Sequence, residues 1–172
     1  MTRFSAIAAS LALGAATLAL PTAGYAADET EMAMNAKVTI SQAVEAAEAK
    51  GGKATEVEFD DDYGGRWEVK VLAEGGDKLT TYFVDPTSGQ VTGEEPQTFE
   101  KYFTMLKPEA FQKAQTQLKA AIALAEAAGS GKAVSAEVER SGDAVSYEIE
   151  VAQADRSTKD VDVDASGKAV ID

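Results

Sequence analysis

Histidine and cysteine are missing from all 172 residues, and the two absences remove whole classes of chemistry. Without imidazole there is no Ser/His/Asp or Cys/His nucleophilic machinery. Without thiols there is no sulfur redox couple, no disulfide and no lipoprotein thiol. Zinc and copper centres built on imidazole or sulfur go with them. Positive charge is scarce as well, at 16 Lys+Arg against 29 Asp+Glu. A net acidic surface with no local Lys/Arg cluster repels phosphate, which argues against nucleic acid and anionic lipid as partners. Apolar runs are short: the longest, residues 7–20, is interrupted by Ser10, Gly14 and Thr17 and is too short to span a bilayer comfortably.

That run has the form of an export signal. Arg3 supplies the positive start, Pro21 ends the run, and Gly24-Tyr25-Ala26 puts small residues where a signal peptidase reads them. Residues 1–26 are therefore expected to be a signal peptide cleaved between Ala26 and Ala27. Loss of Arg3 leaves 15 basic and 29 acidic residues, a formal charge of −14. An exported chain without disulfides relies on its core alone, which suits a bacterial periplasm or exterior.

The mature chain repeats itself. Val44-Glu45-Ala46-Ala47-Glu48-Ala49, with Gly51-Gly52-Lys53-Ala54 after it, returns as Ile122-Ala123-Leu124-Ala125-Glu126-Ala127 and Gly129-Ser130-Gly131-Lys132-Ala133. Trp67-Glu68-Val69-Lys70-Val71 returns as Tyr147-Glu148-Ile149-Glu150-Val151, and Val84-Asp85-Pro86-Thr87-Ser88-Gly89 as Val163-Asp164-Ala165-Ser166-Gly167. Apolar positions and turn residues recur while polar residues drift, so a fold is what repeats, not a reaction centre. Each unit is small enough that it should share buried surface with its twin.

The fold class expected is α+β: two tandem repeats, each a helix packed on a three- to four-stranded antiparallel sheet. In the first, Thr39 and Gln42 form a capping box, and Ile40, Ala43, Val44 and Ala47 make a narrow apolar stripe that stops at Gly51-Gly52. Residues 54–59, 66–72 and 79–84 alternate as strands, with Val57, Phe59, Trp67, Val69, Val71, Tyr82 and Val84 toward the helix. In the second, one helix is predicted from Pro108 to Gly129, about two turns longer than the first, with Phe111, Leu118, Ile122 and Ala125 as its stripe. Strands follow at 134–138, 145–151 and 159–164. Pairing Trp67 with Tyr147 across the repeat gives both a core role.

A helix followed by three antiparallel strands, ending in the turn of Asp85-Pro86-Thr87-Ser88-Gly89 or Asp164-Ala165-Ser166-Gly167 after an alternating strand, resembles the PepSY domain. That domain occurs in propeptides of thermolysin-like metallopeptidases and in many exported bacterial proteins. The resemblance covers about residues 38–93 and 116–171, with the domains placed at 38–93 and 108–172. It implies a non-enzymatic module that inhibits, chaperones or docks another exported protein, often a peptidase. It carries over no catalytic residue and no cofactor. Peptidase-linked members precede a protease domain in the same chain, and none follows Asp172 in this sequence.

Carboxylates are what remains for chemistry, and they fall in turns or on the polar phase of strands and helices, which suits solvated faces better than the acid/base cleft of a glycosidase. No metal ligand is assigned: Asp60-Asp61-Asp62 sits in a hairpin turn, and Asp160, Asp162 and Asp164 read as the polar face of an edge strand. A periplasmic acidic cation-binding protein is the alternative these runs keep open. Residues 94–107 read as a linker with a short aromatic helix, whose Phe99, Tyr102, Phe103 and Leu106 share one face and form the candidate interface. The residues leave the arrangement of the repeats and the oligomeric state open.

Overall fold

The computed structural model describes the backbone of residues 23–97, 108–139 and 144–172, with side chains from residue 29 onward. Helix α1 (Ala23–Asn35) leads into α2 (Ile40–Glu48), and strands β1 (Lys53–Asp60), β2 (Arg66–Leu72), β3 (Leu79–Val84) and β4 (Val91–Gln97) complete the first repeat. The second consists of α3 (Pro108–Lys113), α4 (Leu118–Gly129), β5 (Lys132–Val138), β6 (Ser146–Ala152), β7 (Thr158–Asp164) and β8 (Ala169–Ile171). The eight strands of the described residues form one antiparallel sheet in the order β4-β3-β2-β1-β5-β6-β7-β8. The repeats thus join edge to edge through β1 and β5, where Glu56 pairs with Glu137 and Val57 with Ala136.

The capping box forms as the residues dictate. The Gln42 amide donates to Thr39 Oγ1 at 3.3 Å and the Thr39 amide donates to Gln42 Oε1 at 2.9 Å, so α2 starts with two of its orphan donors satisfied. Ile40, Ala43, Val44 and Ala47 of α2 are buried, as are Leu118, Ala121, Ile122 and Ala125 of α4. The small alanines let both helices lie close to the sheet and to each other. Contacts of α2 with β5 and of α4 with β1 cross the seam, and one continuous core runs beneath both helices. Shared burial between the units is therefore built into the interior.

Matching details recur in each repeat. Glu48 Oε1 accepts from the Ala54 amide at 2.9 Å, and Glu126 Oε1 from the Ala133 amide at 3.1 Å; each glutamate thus ties a helix to the first residues of the next strand. Asp85 Oδ1 accepts from the amides of Thr87 and Ser88 and from Ser88 Oγ. Asp164 Oδ1 likewise accepts from the amides of Ser166 and Lys168 and from Ser166 Oγ. The glycine after each serine has a left-handed backbone, φ 72° at Gly89 and 87° at Gly167, a conformation that side chains with a Cβ rarely adopt. The repeated Asp/Ser/Gly turn is thus a hydrogen-bonded device for reversing the chain.

One element is new and three expectations change. Helix α1, which packs against β1 and β5, carries too little periodicity to have been read from the residues. Residues 94–97, expected to open the linker, continue β4 in register with β3, because Val91 to Gln97 can complete the ladder at the sheet edge, where Pro96 is tolerated. The single helix from Pro108 to Gly129 is broken between α3 and α4. There the Gln117 side chain donates to the carbonyls of Phe111 and Ala114, and Thr116 Oγ1 donates to the Ala165 carbonyl, so side chains and sheet take over the bonds a continuous helix would have made. Finally, β7 is not an edge strand, because β8 pairs with it from Ala169 to Ile171.

Candidate docking face

The two large aromatics on the inner face play the same part in each repeat. Trp67 is 1 % exposed and donates its indole N–H to the Val38 carbonyl at 3.0 Å, while its ring meets Phe59 edge-on at 5.0 Å. Tyr147 is fully buried and donates its hydroxyl to the Thr116 carbonyl at 2.7 Å; burial pushes its hydroxyl pKa well up. Val38 and Thr116 each immediately precede the N-cap of the helix above. Both aromatics are therefore pins that hold a helix start onto the sheet, the core role their repeat spacing implied.

Helices α2 and α4 cover one face of the sheet, and the opposite face carries the polar phase of the strands. On β2 and β3 that face is mixed in character. Arg66 pairs with Asp60 at 2.9 Å and Glu68 at 2.6 Å, and its guanidinium lies 4.0 Å from the centre of the Phe83 ring and 5.0 Å from that of Tyr63. Lys70 pairs with Glu56. Tyr63 stands 90 % exposed at the tip of the β1–β2 hairpin with φ 57°.

Toward the second repeat the same face becomes acidic. Strand register places Glu56, Glu137, Glu148 and Asp162 in one row across β1, β5, β6 and β7, and sets Glu150 opposite Asp160. A shallow cleft in this face is lined by Glu56, Glu58, Glu137, Glu148, Glu150 and Asp160. Partial desolvation, followed by Glu139, Glu137 and Asp160, raises the Glu148 carboxyl above its ordinary value. Desolvation, then Asp172, Glu139 and Asp160, does the same to Asp162. Glu58 is also raised, chiefly by desolvation, with Lys70 opposing and Glu56 and Asp60 reinforcing.

Helix α1 stands at the end of β1 and β5, where Glu29, Thr30 and Ala33 face Glu58, Glu68 and Glu150 across a second cleft. Burial and then Asp61, Asp60, Glu58 and Asp62 push the Glu29 carboxyl up. Ala33, buried in the core with Met32 and Met34 packed against it, holds the helix against this repulsion, and two charged contacts add to it: Arg156 with Glu31 at 2.9 Å, and Lys132 donating to the Met34 carbonyl at 2.9 Å.

Of the residues singled out from the sequence, Asp60, Asp61 and Asp62 come together, each with an oxygen within 4.8 Å of the others. Both Asp60 oxygens are already engaged, Oδ1 by the Asp62 amide and Oδ2 by Arg66. Burial works to raise the Asp60 carboxyl, but the Asp62 amide, Glu68 and Arg66 outweigh it and hold the group low. Asp160 and Asp162 belong to the acidic rows, whereas Asp164 is consumed by its turn. Ala26 and Ala27 fall within α1. Phe99, Tyr102, Phe103 and Leu106 lie outside the described residues. Sequence reading missed the acidic rows, since they exist only once strand register is known.

No curated protein sequence matches this chain. A crystal structure described as that of a putative lipoprotein from Clostridium difficile 630 resembles it at 15 % identity and a TM-score of 0.47, covering 84 % of this chain and 98 % of the other. The family model for the peptidase propeptide and YPEB domain matches residues 37–95 and again 118–172. The second match opens at Leu118, the first residue of α4, and so leaves α3 outside the repeated unit. These two matches take in both helix-and-sheet units and both Asp/Ser/Gly turns; the chain belongs to the PepSY family and carries that domain twice.

Proposed function

We propose that this protein is an exported, non-enzymatic module that binds another exported protein, with a peptidase as the foremost class of partner. The observation that carries this reading is the fusion of two PepSY units into one eight-stranded sheet of which α2 and α4 cover one face. On β5, β6 and β7 the other face presents exposed side chains, Glu137, Glu148, Asp160 and Asp162 among them, on a paired backbone, the arrangement a docking surface needs. The family's description as a peptidase propeptide domain supports the choice of partner. Export rests on Arg3, the apolar run of residues 7–20 and the Gly24-Tyr25-Ala26 site. Among the described residues no helix is long and apolar enough to cross a membrane.

Capture from the native envelope fraction on immobilised protein beginning at Ala27, followed by assay of any captured peptidase, tests the reading. A specific partner whose activity or folding changes on binding is the expected result. Turnover of a small substrate with no protein captured would overturn it. Phe103→Ala probes the linker aromatics in the same assay. Loss of an interface anchor of this type costs about 2 kcal/mol or more, at least tenfold in affinity.

A further inference from the structure

The sheet ends in β4 on one side and β8 on the other, and the two repeats treat these edges differently. Among the described residues no strand pairs with β4 beyond β3 or with β8 beyond β7. Along β4, Glu94, Glu95 and Pro96 are exposed, and charge and proline on an edge deter an added strand. Strand β8 offers apolar residues instead. Counted along the chain from the pairs Val84 with Val91 and Val163 with Ala169, Val170 and Ile171 take the places of Thr92 and Gly93. On the helix, Leu124 takes the place of Ala46. Four large apolar side chains are exposed among the described residues, and Leu124, Val170 and Ile171 are three of them, at 38 %, 45 % and 45 %. Helix α4 contacts β8, and Leu124 Cδ1 reaches the turn leading into it, 3.2 Å from where a Cβ on Gly167 would stand. The three side chains therefore gather at one edge, where the first repeat has small or polar residues.

We propose that β8 is a self-association edge, which pairs antiparallel with β8 of a second copy about a two-fold axis through Val170. The backbone has the phase for it. The Asp164 amide donates to the Lys168 carbonyl and the Asp172 amide to the Asp160 carbonyl, so Lys168, Val170 and Asp172 turn their backbone groups toward β7. Alternation then points the N–H and C=O of Ala169 and Ile171 out of the edge. Setting Ala169 opposite Ile171 of the second copy joins all of these groups in hydrogen bonds. The same register puts Val170 opposite its own copy and Lys168, which is exposed, opposite Asp172 of the second copy. Opposite charges facing each other across strands stabilise the pair. A shift of two residues either way, the next that keeps the bonding phase, separates Lys168 from Asp172. Ile171 lies opposite buried Val161 and so on the helix side with Leu124, where it meets Ala169 of the second copy. Because the axis is perpendicular to the sheet, α2 and α4 of both copies stay on one side and both outer faces on the other. An edge this short buries little surface, so the dimer is of the weak, concentration-dependent kind.

Sedimentation equilibrium of the protein beginning at Ala27, from micromolar to millimolar concentration, tests the proposal. The salt is held at about 0.15 M, where repulsion between two acidic chains is screened beyond about 8 Å. A concentration-dependent dimer is expected, and a monomer throughout would overturn the proposal. Lys168→Asp and Asp172→Lys each set like charges opposite one another twice per dimer, and each should weaken association about fivefold or more. The double variant Lys168→Asp/Asp172→Lys restores opposite pairs and should dimerise within about twofold of the parent. Net charge alone would move the two single variants in opposite directions, so that outcome, or a double variant as weak as the singles, refutes the register. Because the chain has no cysteine, Val170→Cys supplies one thiol per copy at the axis, and mild oxidation should give a covalent dimer. Thr92→Cys, at the matching place on β4, should stay monomeric. Equal cross-linking at both sites would show chance collision and overturn the edge assignment. An envelope partner captured by a protein that is monomeric at every concentration would sink the dimer and leave the docking reading standing, while a dimer that captures no partner would do the reverse.

Discussion

Replacing Trp67 measures how firmly α2 is pinned to the sheet, and the structure divides the expected loss into parts. Trp67→Ala removes a side chain 1 % exposed and its edge-on contact with Phe59, which places it with large-to-small core substitutions costing about 3 to 5 kcal/mol. Trp67→Phe keeps a ring in the site but deletes the indole N–H and leaves the buried Val38 carbonyl unpaired, worth about 1 to 3 kcal/mol. A cooperative unit of this size loses about 2 to 4 °C of Tm per kcal/mol. Thermal unfolding by circular dichroism should therefore show Trp67→Phe lower by about 2 to 12 °C and Trp67→Ala lower still. Tyr147→Phe should match the first change, since it strips one hydroxyl from the Thr116 carbonyl and leaves the ring in place. The two pins stand three strands apart, at least about 14 Å, so the double variant should lose the sum of the single losses. A neutral Trp67→Phe would refute the pin, and a neutral Trp67→Ala would refute the burial argument altogether.

Further consequences can be checked in the same way. Fragments 27–95 and 108–172 should each melt well below the intact chain, because α2 and α4 bury surface across the β1–β5 seam; melting at the full-length temperature would mean that the repeats are independent. Gly131→Ala should destabilise by about 1 to 3 kcal/mol, as overpacking does, because a Cβ there would lie 2.3 Å from the Ala152 carbonyl oxygen; a chemical denaturation midpoint equal to the parent's would contradict this. In pH titrations, Glu29, Glu58, Glu148 and Asp162 hold protons more tightly when folded, so stability should rise as pH falls from neutral toward the ordinary carboxylate range. Below that range it should fall as the depressed Asp85, Asp155 and Asp164 lose the turn bonds that keep them ionised; a monotonic decline from pH 7 downward would show that the acidic rows carry no strain. Millimolar calcium should move Tm little, since Asp60 is already engaged by Arg66 and the Asp62 amide, and a rise of many degrees would promote the cation-binding alternative.

What was legible in the residues follows from where the information lies. The capping box at Thr39 and Gln42, the stripe of Ile40, Ala43, Val44 and Ala47, and the turns at Asp85 and Asp164 are satisfied within a few residues of chain, so local pattern suffices to read them. The repeat supplied the remainder of the architecture, because Trp67 and Tyr147 could be assigned to the core by comparison with each other. The breaks came where a distant partner decides. Pro108 to Gly129 is a good helix by composition, and only the sheet, through the Ala165 carbonyl and the Tyr147 hydroxyl, shows why Thr116 and Gln117 leave it. Likewise β7 looked like an edge because its polar face is unbroken aspartate, and only β8 shows that a neighbour pairs with it.

The candidate face was hidden for a related reason. Glu56, Glu137, Glu148 and Asp162 are far apart in the chain, and each alone reads as a solvated strand position. A shift of one residue in any pairing would turn the whole set toward the core, and the buried alternation of Val57, Ala136, Ile149 and Val161 forbids that shift. The apolar phase thus fixes the register, and the register then places the carboxylates side by side. The acidic rows are consequently as firmly held as the core beneath them. A partner would meet charges already in position, with little backbone ordering left to oppose binding.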